Sequence, residues 1–136
     1  MTNESIPLRV GIVGTSWWAD AMYLPAFAAH SGASVVGLCG RTAATAKALA
    51  DTWDVPCFSV DSDDFLDPER LDAVVVATST DSHEELTMPA LDRGLHVLCE
   101  KPMTMTVEEG EEIVKIAAKT AKICAVNYCY SAYPMV

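Results

Sequence analysis

Glu100, Lys101 and Pro102 stand together directly after a short apolar segment that is typical of a buried strand. If that strand belongs to a parallel sheet, the three residues lie at its carboxyl edge, where open α/β sheets bind ligands. A lysine there can orient a substrate oxygen or donate a proton to it, and Glu100 can keep the ammonium charged. Pro102 restricts the backbone, and the sequence leaves its peptide isomer open. By composition alone, a surface ion pair before a proline turn is the simpler explanation.

A second candidate site follows the apolar segment from Leu8 to Val13 and reads Gly14-Thr15-Ser16-Trp17-Trp18-Ala19. The pattern is close to the glycine-rich turn of dinucleotide-binding proteins, in which N–H groups at a helix N-terminus bind the pyrophosphate. Gly14 supplies the tight turn, and Ala19 is small enough for close packing of helix on strand. Ser16 replaces the glycine that allows the backbone to approach the phosphates. The alternative is an ordinary strand-to-helix turn.

Two roles are possible for Trp17 and Trp18 in this loop. They cover the cofactor, or they pack against a neighbouring domain. We expect Trp17 to lie near the cofactor, and we keep Trp18 among the candidate contacts without choosing between the two explanations.

The end of the second predicted strand is where NAD-binding proteins usually place an Asp or Glu that binds the ribose hydroxyls. This chain has no acid there, and Gly40 is followed by Arg41 and Thr42. A guanidinium beside a hydroxyl suits a 2′-phosphate, so the sequence favours NADP(H) over NAD(H). The alternative is an arginine on the solvated face of a helix start.

Alternating strand and helix patterns position these residues. Apolar segments predict six strands, at 8–13, 34–38, 57–60, 73–77, 96–99 and 123–128. Helices are predicted at 18–30 with a kink or second start at Pro25, at 42–53, within 61–66, at 81–93 and at 106–119. Asp81 is the expected N-cap of the fourth, and Thr106 with Glu109 forms a capping box for the fifth. The order predicts a Rossmann-type, doubly wound parallel α/β sheet with helices on both faces.

The bulk properties exclude several classes of protein. A chain of 136 residues with 51% hydrophobic residues fits one globular domain, and a net charge of −10 argues against a nucleic-acid partner. No apolar run reaches the roughly 20 residues that span a bilayer, and no signal peptide is recognisable, so no membrane role is expected. The five cysteines lack C-x-x-C spacing, which indicates reduced thiols, a cytoplasmic location and no metal site.

Several segments together resemble one protein family. They are His96–Met103, which contains the Glu-Lys-Pro triplet, Gly11–Ala19, Val75–His83 and Ala125–Tyr128. In this order they are similar to the N-terminal domain of the glucose–fructose oxidoreductase and inositol dehydrogenase family (Gfo/Idh/MocA). The resemblance covers nearly the whole chain, and its specificity comes from several motifs at the right spacings.

The resemblance implies an NAD(P)-dependent oxidoreductase that moves hydride to or from a hydroxyl-bearing carbon of a sugar, cyclitol or related small molecule. It implies that Lys101 is the catalytic residue beside the substrate and that Glu100 belongs to the cofactor site. The loop of Ala77, Thr78, Ser79 and Thr80, with His83, is expected near the nicotinamide. Departures from the family pattern are Ser16 for glycine, Tyr23 for histidine, Ser79 for proline and Ser131 for arginine.

The domain division follows from the same resemblance. Residues 1–126 are expected to form the NAD(P)-binding domain, and residues 127–136 to begin the junction to a C-terminal domain that this chain lacks. We therefore expect the chain alone to be catalytically incomplete and to self-associate through its apolar ending. Two alternatives remain. One is a stand-alone dinucleotide-binding sensor or regulatory module in which Lys101 has no catalytic role, and the other is a structural subunit that lends this domain to a partner chain.

Overall fold

A computed structural model of the chain describes residues 6–134. Six parallel strands form one sheet in the order β3-β2-β1-β4-β5-β6. The strands are β1 (Leu8–Val13), β2 (Ala33–Cys39), β3 (Phe58–Ser59), β4 (Ala73–Val76), β5 (His96–Glu100) and β6 (Cys124–Asn127). The strand order reverses direction between β1 and β4, which is the arrangement of the Rossmann fold. The predicted fold class is confirmed.

Helices connect the strands and cover the sheet. They are α1 (Leu24–Ala28), α2 (Ala43–Thr52), α3 (Ser62–Phe65), α4 (His83–Asp92) and α5 (Val107–Thr120). The predicted capping box of α5 is confirmed, because Glu109 N–H donates to Thr106 Oγ1 at 3.2 Å and Thr106 N–H donates to Glu109 Oε2 at 3.3 Å. Among the described residues, no helix is both long and apolar enough to cross a membrane.

The first helical segment shows the second of the two alternatives predicted at Pro25, a second helix start and not a kink in one continuous helix over 18–30. A π-helical turn over Ala19–Tyr23 comes first, and α1 follows and ends at Ala28. The physical reason is Pro25, which has no N–H to donate to the carbonyl four residues earlier. Just before it, Leu24 N–H donates to Ala19 O, five residues back, which closes the wider turn.

The prediction that Asp81 caps α4 is wrong. A 3₁₀ turn over Thr80–Ser82 precedes the helix, which begins at His83 with Ser82 in the N-cap position. The Ser82 N–H and its hydroxyl both donate to the carbonyl oxygen of Ser79, at 3.0 and 2.8 Å. These two bonds close a tight turn that contains Asp81, so the α-helix starts two residues later than its sequence signal indicated.

Alternate residues of the strands face two separate cores. Val74 and Val76 of β4 point to the face covered by α4 and α5, whereas Val75 between them points to the face covered by α1 and α2. All three side chains are buried. A sheet buried on both faces holds the ends of its strands in fixed relative positions, and those ends carry the candidate site.

The amino edge of the sheet is held by a two-residue clamp, Arg9 and Asp72. The Arg9 backbone N–H and Nε donate to Asp72 Oδ2 at 2.8 and 3.1 Å, and Nη2 donates to Oδ1 at 2.8 Å. Hydrogen bonds from the Arg9 side chain and backbone are the main reason that the pKa of Asp72 falls to about 2. The clamp joins the start of β1 to the residue preceding β4.

Candidate functional site

The carboxyl ends of four strands, β1, β2, β4 and β5, bring the predicted site residues to one edge of the sheet. The paired positions Val13 with Cys39, Val13 with Val76, and Val76 with Cys99 align the strand ends. The candidates at these ends and in the loops beyond them are Gly14, Thr15, Ser16, Trp17, Trp18, Arg41, Thr42, Ala77, Thr78, Ser79, Thr80, Glu100 and Lys101. The edge includes the reversal point between β1 and β4, where open α/β sheets bind ligands.

Gly14 makes the turn after β1 and is clamped between two neighbouring loops. Its φ is +119°, a conformation that residues with a side chain rarely adopt. A Cβ on Gly14 would lie 2.3 Å from the carbonyl oxygen of Ala77, so the loop after β4 fills the space of a side chain. The Gly14 N–H donates to Cys39 O at 2.8 Å. Only glycine satisfies the turn and the close approach together.

The loop after Gly14 presents free donors. In the part of the chain that the structure describes, nothing accepts a hydrogen bond from the backbone N–H of Thr15, Ser16 or Trp17. The first helical bond is from Asp20 N–H to Ser16 O at 3.3 Å, so the three N–H groups lie at a helical N-terminus. Such a set of donors binds anions. The donor set and the cradle at Gly14 therefore fit a pyrophosphate.

Arg41 and Thr42 follow the end of β2 and differ in their hydrogen bonds and ion pairs within the protein. Thr42 caps α2, because its Oγ1 accepts from Thr45 N–H at 3.4 Å and shares a hydrogen bond with Thr45 Oγ1 at 2.5 Å. Arg41 is exposed and forms no ion pair with any residue between 6 and 134. The capping role leaves the Arg41 guanidinium as the free group of this pair.

The Glu100 side chain is buried, with only 6% of its surface exposed, and it accepts several hydrogen bonds at this edge. Its Oε1 accepts from Tyr23 Oη at 2.6 Å, Trp18 Nε1 at 2.7 Å and Asn127 Nδ2 at 2.8 Å. Its Oε2 accepts from the Lys101 backbone N–H at 3.1 Å. Burial by itself raises the pKa of Glu100, but the hydrogen bonds from Tyr23, Trp18 and Asn127 outweigh it and lower the pKa. Glu100 is therefore a buried carboxylate with its charge satisfied by the protein.

The pKa of Tyr23 shifts in the opposite direction from that of Glu100. Burial, together with the hydrogen bond to the Glu100 carboxylate, raises the pKa of Tyr23 far above its usual value. The phenol therefore remains a hydrogen-bond donor to Glu100 while it accepts from Asn127 Nδ2 at 2.8 Å.

The alternative of a surface ion pair between Glu100 and the Lys101 ammonium is not observed among the described residues. The carboxylate is occupied by the donors described above, and no carboxylate within residues 6–134 pairs with Lys101. The Lys101 side chain is exposed, and the Lys101–Pro102 peptide is cis. Glu100 thus holds the backbone of Lys101 and leaves its ammonium available for a ligand.

His83 lies behind the edge, with 1% of its surface exposed. Its Nδ1 is 2.9 Å from Pro102 O, and its Nε2 is 3.2 Å from Thr78 O. The imidazole therefore bridges the loop after β4 and the loop after β5.

The loop after β4 is held by local hydrogen bonds. Ala77 N–H donates to Val13 O at 2.8 Å, and the hydroxyls of Ser82 and Thr78 are hydrogen-bonded to each other at 2.8 Å. Ser79 is exposed, and Thr80 begins the 3₁₀ turn. Of the four predicted residues of this loop, Ala77 and Thr78 lie beside Gly14.

Sequence reasoning did not place Tyr23 and Asn127 among the site residues. Both bind Glu100 from elements distant in the chain. The available signals were the departure from histidine at Tyr23 and the position of Asn127 in the last of the recognised motifs. Within residues 6–134, no group of three or more potential ligands is placed to hold a metal ion.

The strand order, the glycine turn with its free N–H groups and the lysine at the same edge define a Rossmann-type dinucleotide-binding domain. Residues 8–128 match the profile of an oxidoreductase family described by its NAD-binding Rossmann fold. The chain belongs to this family, Gfo/Idh/MocA. The resemblance inferred from the motifs is confirmed.

Two similar proteins are named for reactions of sugars or sugar nucleotides. The chain is 32% identical to a D-glucoside 3-dehydrogenase of Escherichia coli, over 91% of this chain and 35% of that protein. It is also 32% identical to a dTDP-3,4-didehydro-2,6-dideoxy-alpha-D-glucose 3-reductase of Streptomyces violaceoruber, over 95% of this chain and 38% of the relative. The chain thus spans little more than a third of the length of these relatives.

A solved structure shows the same architecture. The 3-ketoreductase of Actinomadura kijaniata, in complex with NADP, superimposes with a TM-score of 0.89 at 27% identity. The match covers 96% of this chain and 41% of that protein. The likeness therefore concerns less than half of the larger protein.

Proposed function

We propose that this chain is the dinucleotide-binding part of an oxidoreductase that moves hydride between a nicotinamide and a hydroxyl-bearing carbon of a sugar, cyclitol or related molecule. The observation that carries the proposal is the placement of Lys101. Its ammonium is exposed and unpaired with Glu100, at the same sheet edge as the Gly14 turn. The sugar-directed names of the relatives support the substrate class.

The residues at this edge of the sheet have separate roles in the proposed reaction. The N–H groups of Thr15, Ser16 and Trp17 bind the pyrophosphate, and Gly14 allows its close approach. The bound dinucleotide supplies the carbon that accepts or gives the hydride. Lys101 orients the substrate oxygen and donates or accepts its proton as the carbon is reduced or oxidised. His83 supports the two loops that flank this position.

The proposal favours NADP(H) over NAD(H). Arg41 is a free cation beyond the end of β2, where a 2′-phosphate is bound in proteins of this fold. A guanidinium matches a phosphate in charge and in its paired donors. The NADP complex of the similar 3-ketoreductase supports the same choice.

The domain boundary at residue 126 falls within β6, whose last residue is Asn127, so the junction is proposed to begin just after this strand. The 136-residue chain is proposed to bind dinucleotide but to turn over slowly, because Lys101 stands at an open, exposed edge.

Self-association is proposed through the exposed aromatic residues near the end, Tyr128, Tyr130 and Tyr133. A cytoplasmic location is proposed from the five separate thiols.

Tryptophan fluorescence tests the cofactor part of the proposal. We expect NADPH to quench Trp17, which is 72% exposed beside the free N–H groups. No change in emission at millimolar NADPH or NADH would remove the binding claim.

Reduction of a panel of keto-sugars, followed by NADPH absorbance, tests the catalytic part. Slow turnover that Lys101→Met abolishes supports the oxidoreductase. Binding without any turnover that depends on Lys101 would instead favour the stand-alone sensor or regulatory module.

A further inference from the structure

We propose that Trp18 and Glu100 are positioning residues that couple occupancy of the phosphate-binding loop to the placement of Lys101. This inference rests on the proposed dinucleotide site. Beyond that site, the Trp18 indole and the buried Glu100 carboxylate would transmit the effect of a bound ligand from the loop after β1 to the loop after β5.

The connection is a continuous series of short contacts. Trp18 directly follows the free N–H of Trp17, so its backbone is part of the phosphate-binding loop. Its indole Nε1–H donates to Glu100 Oε1 at 2.7 Å, across 82 positions of sequence. The other oxygen of the same carboxylate accepts from the Lys101 N–H at 3.1 Å. A single rigid carboxylate therefore connects the loop after β1 with the backbone of the lysine.

The surroundings of Glu100 make this connection stiff. Tyr23 and Asn127 also donate to Oε1, and Asn127 Nδ2 additionally donates to the Tyr23 hydroxyl. Hydrogen bonds to a buried charge are stronger than those in water, and a fully satisfied network has one favoured arrangement. A displacement of Trp18 that keeps its hydrogen bond therefore has to move the carboxylate, and with it the oxygen that accepts from the Lys101 N–H.

Binding of an anion to the loop restricts the position of the backbone that carries Trp18. The N–H groups of Thr15, Ser16 and Trp17 have no partner among the described residues, so an anion that binds them fixes the loop backbone. Coupling between two sites is reciprocal, so whatever alters the Glu100 connection must also alter affinity at the loop.

The experiment uses the ¹⁵N-labelled 136-residue chain and ADP, which carries a pyrophosphate but neither a nicotinamide nor a second ribose. A change at Lys101 caused by ADP therefore cannot come from the nicotinamide end of the cofactor. We expect ADP to shift the backbone N–H signals of Thr15, Ser16 and Trp17, the indole signal of Trp18 and the N–H signal of Lys101.

Trp18→Phe removes the indole donor and leaves the loop backbone in place. In this variant the loop signals should still respond, and the Lys101 response should fall at least about twofold. The matched control is Trp53→Phe, which removes another indole–carboxylate bond of 2.7 Å, from Trp53 Nε1 to Asp20 Oδ1. The control should keep the full Lys101 response.

A Lys101 response of the same size in Trp18→Phe and in the unchanged chain would overturn the coupling while leaving the dinucleotide site intact. Absence of any shift at Thr15, Ser16 and Trp17 would instead overturn the dinucleotide site, and the coupling with it. The two failures are therefore distinguishable.

Glu100→Gln provides a second measurement that does not depend on the folding of Trp18→Phe. An amide has one oxygen, so either the donors at Oε1 or the Lys101 N–H loses its acceptor. By reciprocity, ADP affinity should fall about fivefold, measured by calorimetry. An unchanged affinity in a folded Glu100→Gln chain would also overturn the coupling.

Discussion

The carbonyl oxygen of Ala77 lies where a side chain on Gly14 would begin, since a Cβ there would stand 2.3 Å from that oxygen and 2.7 Å from its carbon. The backbone of the loop after β4 is therefore packed directly on the turn after β1. The Ala77 N–H adds a bond of 2.8 Å to Val13 O, which keeps the two loops together. The turn proposed to bind phosphate and the loop proposed to lie near the nicotinamide form one unit through these contacts.

Gly14→Ala should destabilise the chain and remove dinucleotide binding. The positive φ and the collision with Ala77 together cost about 1–3 kcal/mol, measured as a change in the free energy of unfolding by urea. The control is Gly110→Ala in α5, where the nearest atoms to a new Cβ lie at 3.4 and 3.5 Å. That substitution should stabilise the chain by about 0.5–1 kcal/mol through helix propensity. Equal destabilisation by both would contradict this explanation of Gly14.

Arg41→Ala should weaken NADPH binding by about tenfold and change NADH binding little, because only NADPH carries the 2′-phosphate. Fluorescence titration with each cofactor measures the two affinities. Lys47→Ala is a suitable control, since this exposed lysine of α2 pairs with Asp51 at 2.6 Å. It should leave both affinities unchanged. Equal losses for NADPH and NADH in Arg41→Ala would sink the 2′-phosphate role.

Tyr23→Phe should lower the free energy of unfolding by about 1–3 kcal/mol. The buried hydroxyl donates to a carboxylate and accepts from Asn127, so its loss weakens two contacts. Tyr133→Phe removes a hydroxyl from a tyrosine that is 55% exposed and should have almost no effect. Urea denaturation of the two variants makes the comparison. Similar stabilities for both would argue against a structural role of the Glu100 network.

Asp72→Asn tests the pH dependence of the clamp at the amino edge. Because Arg9 lowers the pKa of Asp72 to about 2, the folded state gains stability once the pH exceeds the ordinary carboxyl pKa of about 3.9. That gain is lost as the pH falls from about 4 towards 2. Asp72→Asn should therefore be less stable than the unchanged chain at neutral pH, and the difference should shrink over this interval. A difference in unfolding free energy that is constant from pH 7 to about 2 would contradict the pairing.

Much of the fold follows from local signals in the sequence. The β-branched run of β4 and the Thr106–Glu109 capping box depend on neighbouring residues alone, and both were predicted. The start of α4 was misplaced because Ser79 and Ser82 close a tighter turn around Asp81. Cap signals therefore locate a helix start only when no nearby side chain competes for the same backbone.

The candidate site was predictable in its outline but not in its contacts. Parallel strands bring their carboxyl ends to one edge, so the loops of Gly14 and Lys101 had to meet there. The partners of Glu100 could not be inferred, because Tyr23 lies 77 positions away and Asn127 lies 27 positions away. Proximity in sequence suggested Lys101 as the partner of Glu100, whereas burial of the carboxylate directs it towards the donors inside the fold.

The Arg9–Asp72 clamp has a consequence for protein engineering, because it lies at the opposite end of β1 from the Gly14 turn. Six residues of extended chain separate the two ends by about 17 Å. Substitutions that far apart, with no shared partners, usually have additive effects on free energy. A variant with a stronger clamp should therefore tolerate destabilising changes at the cofactor edge, so that cofactor preference can be altered in a chain stabilised beforehand at its other end.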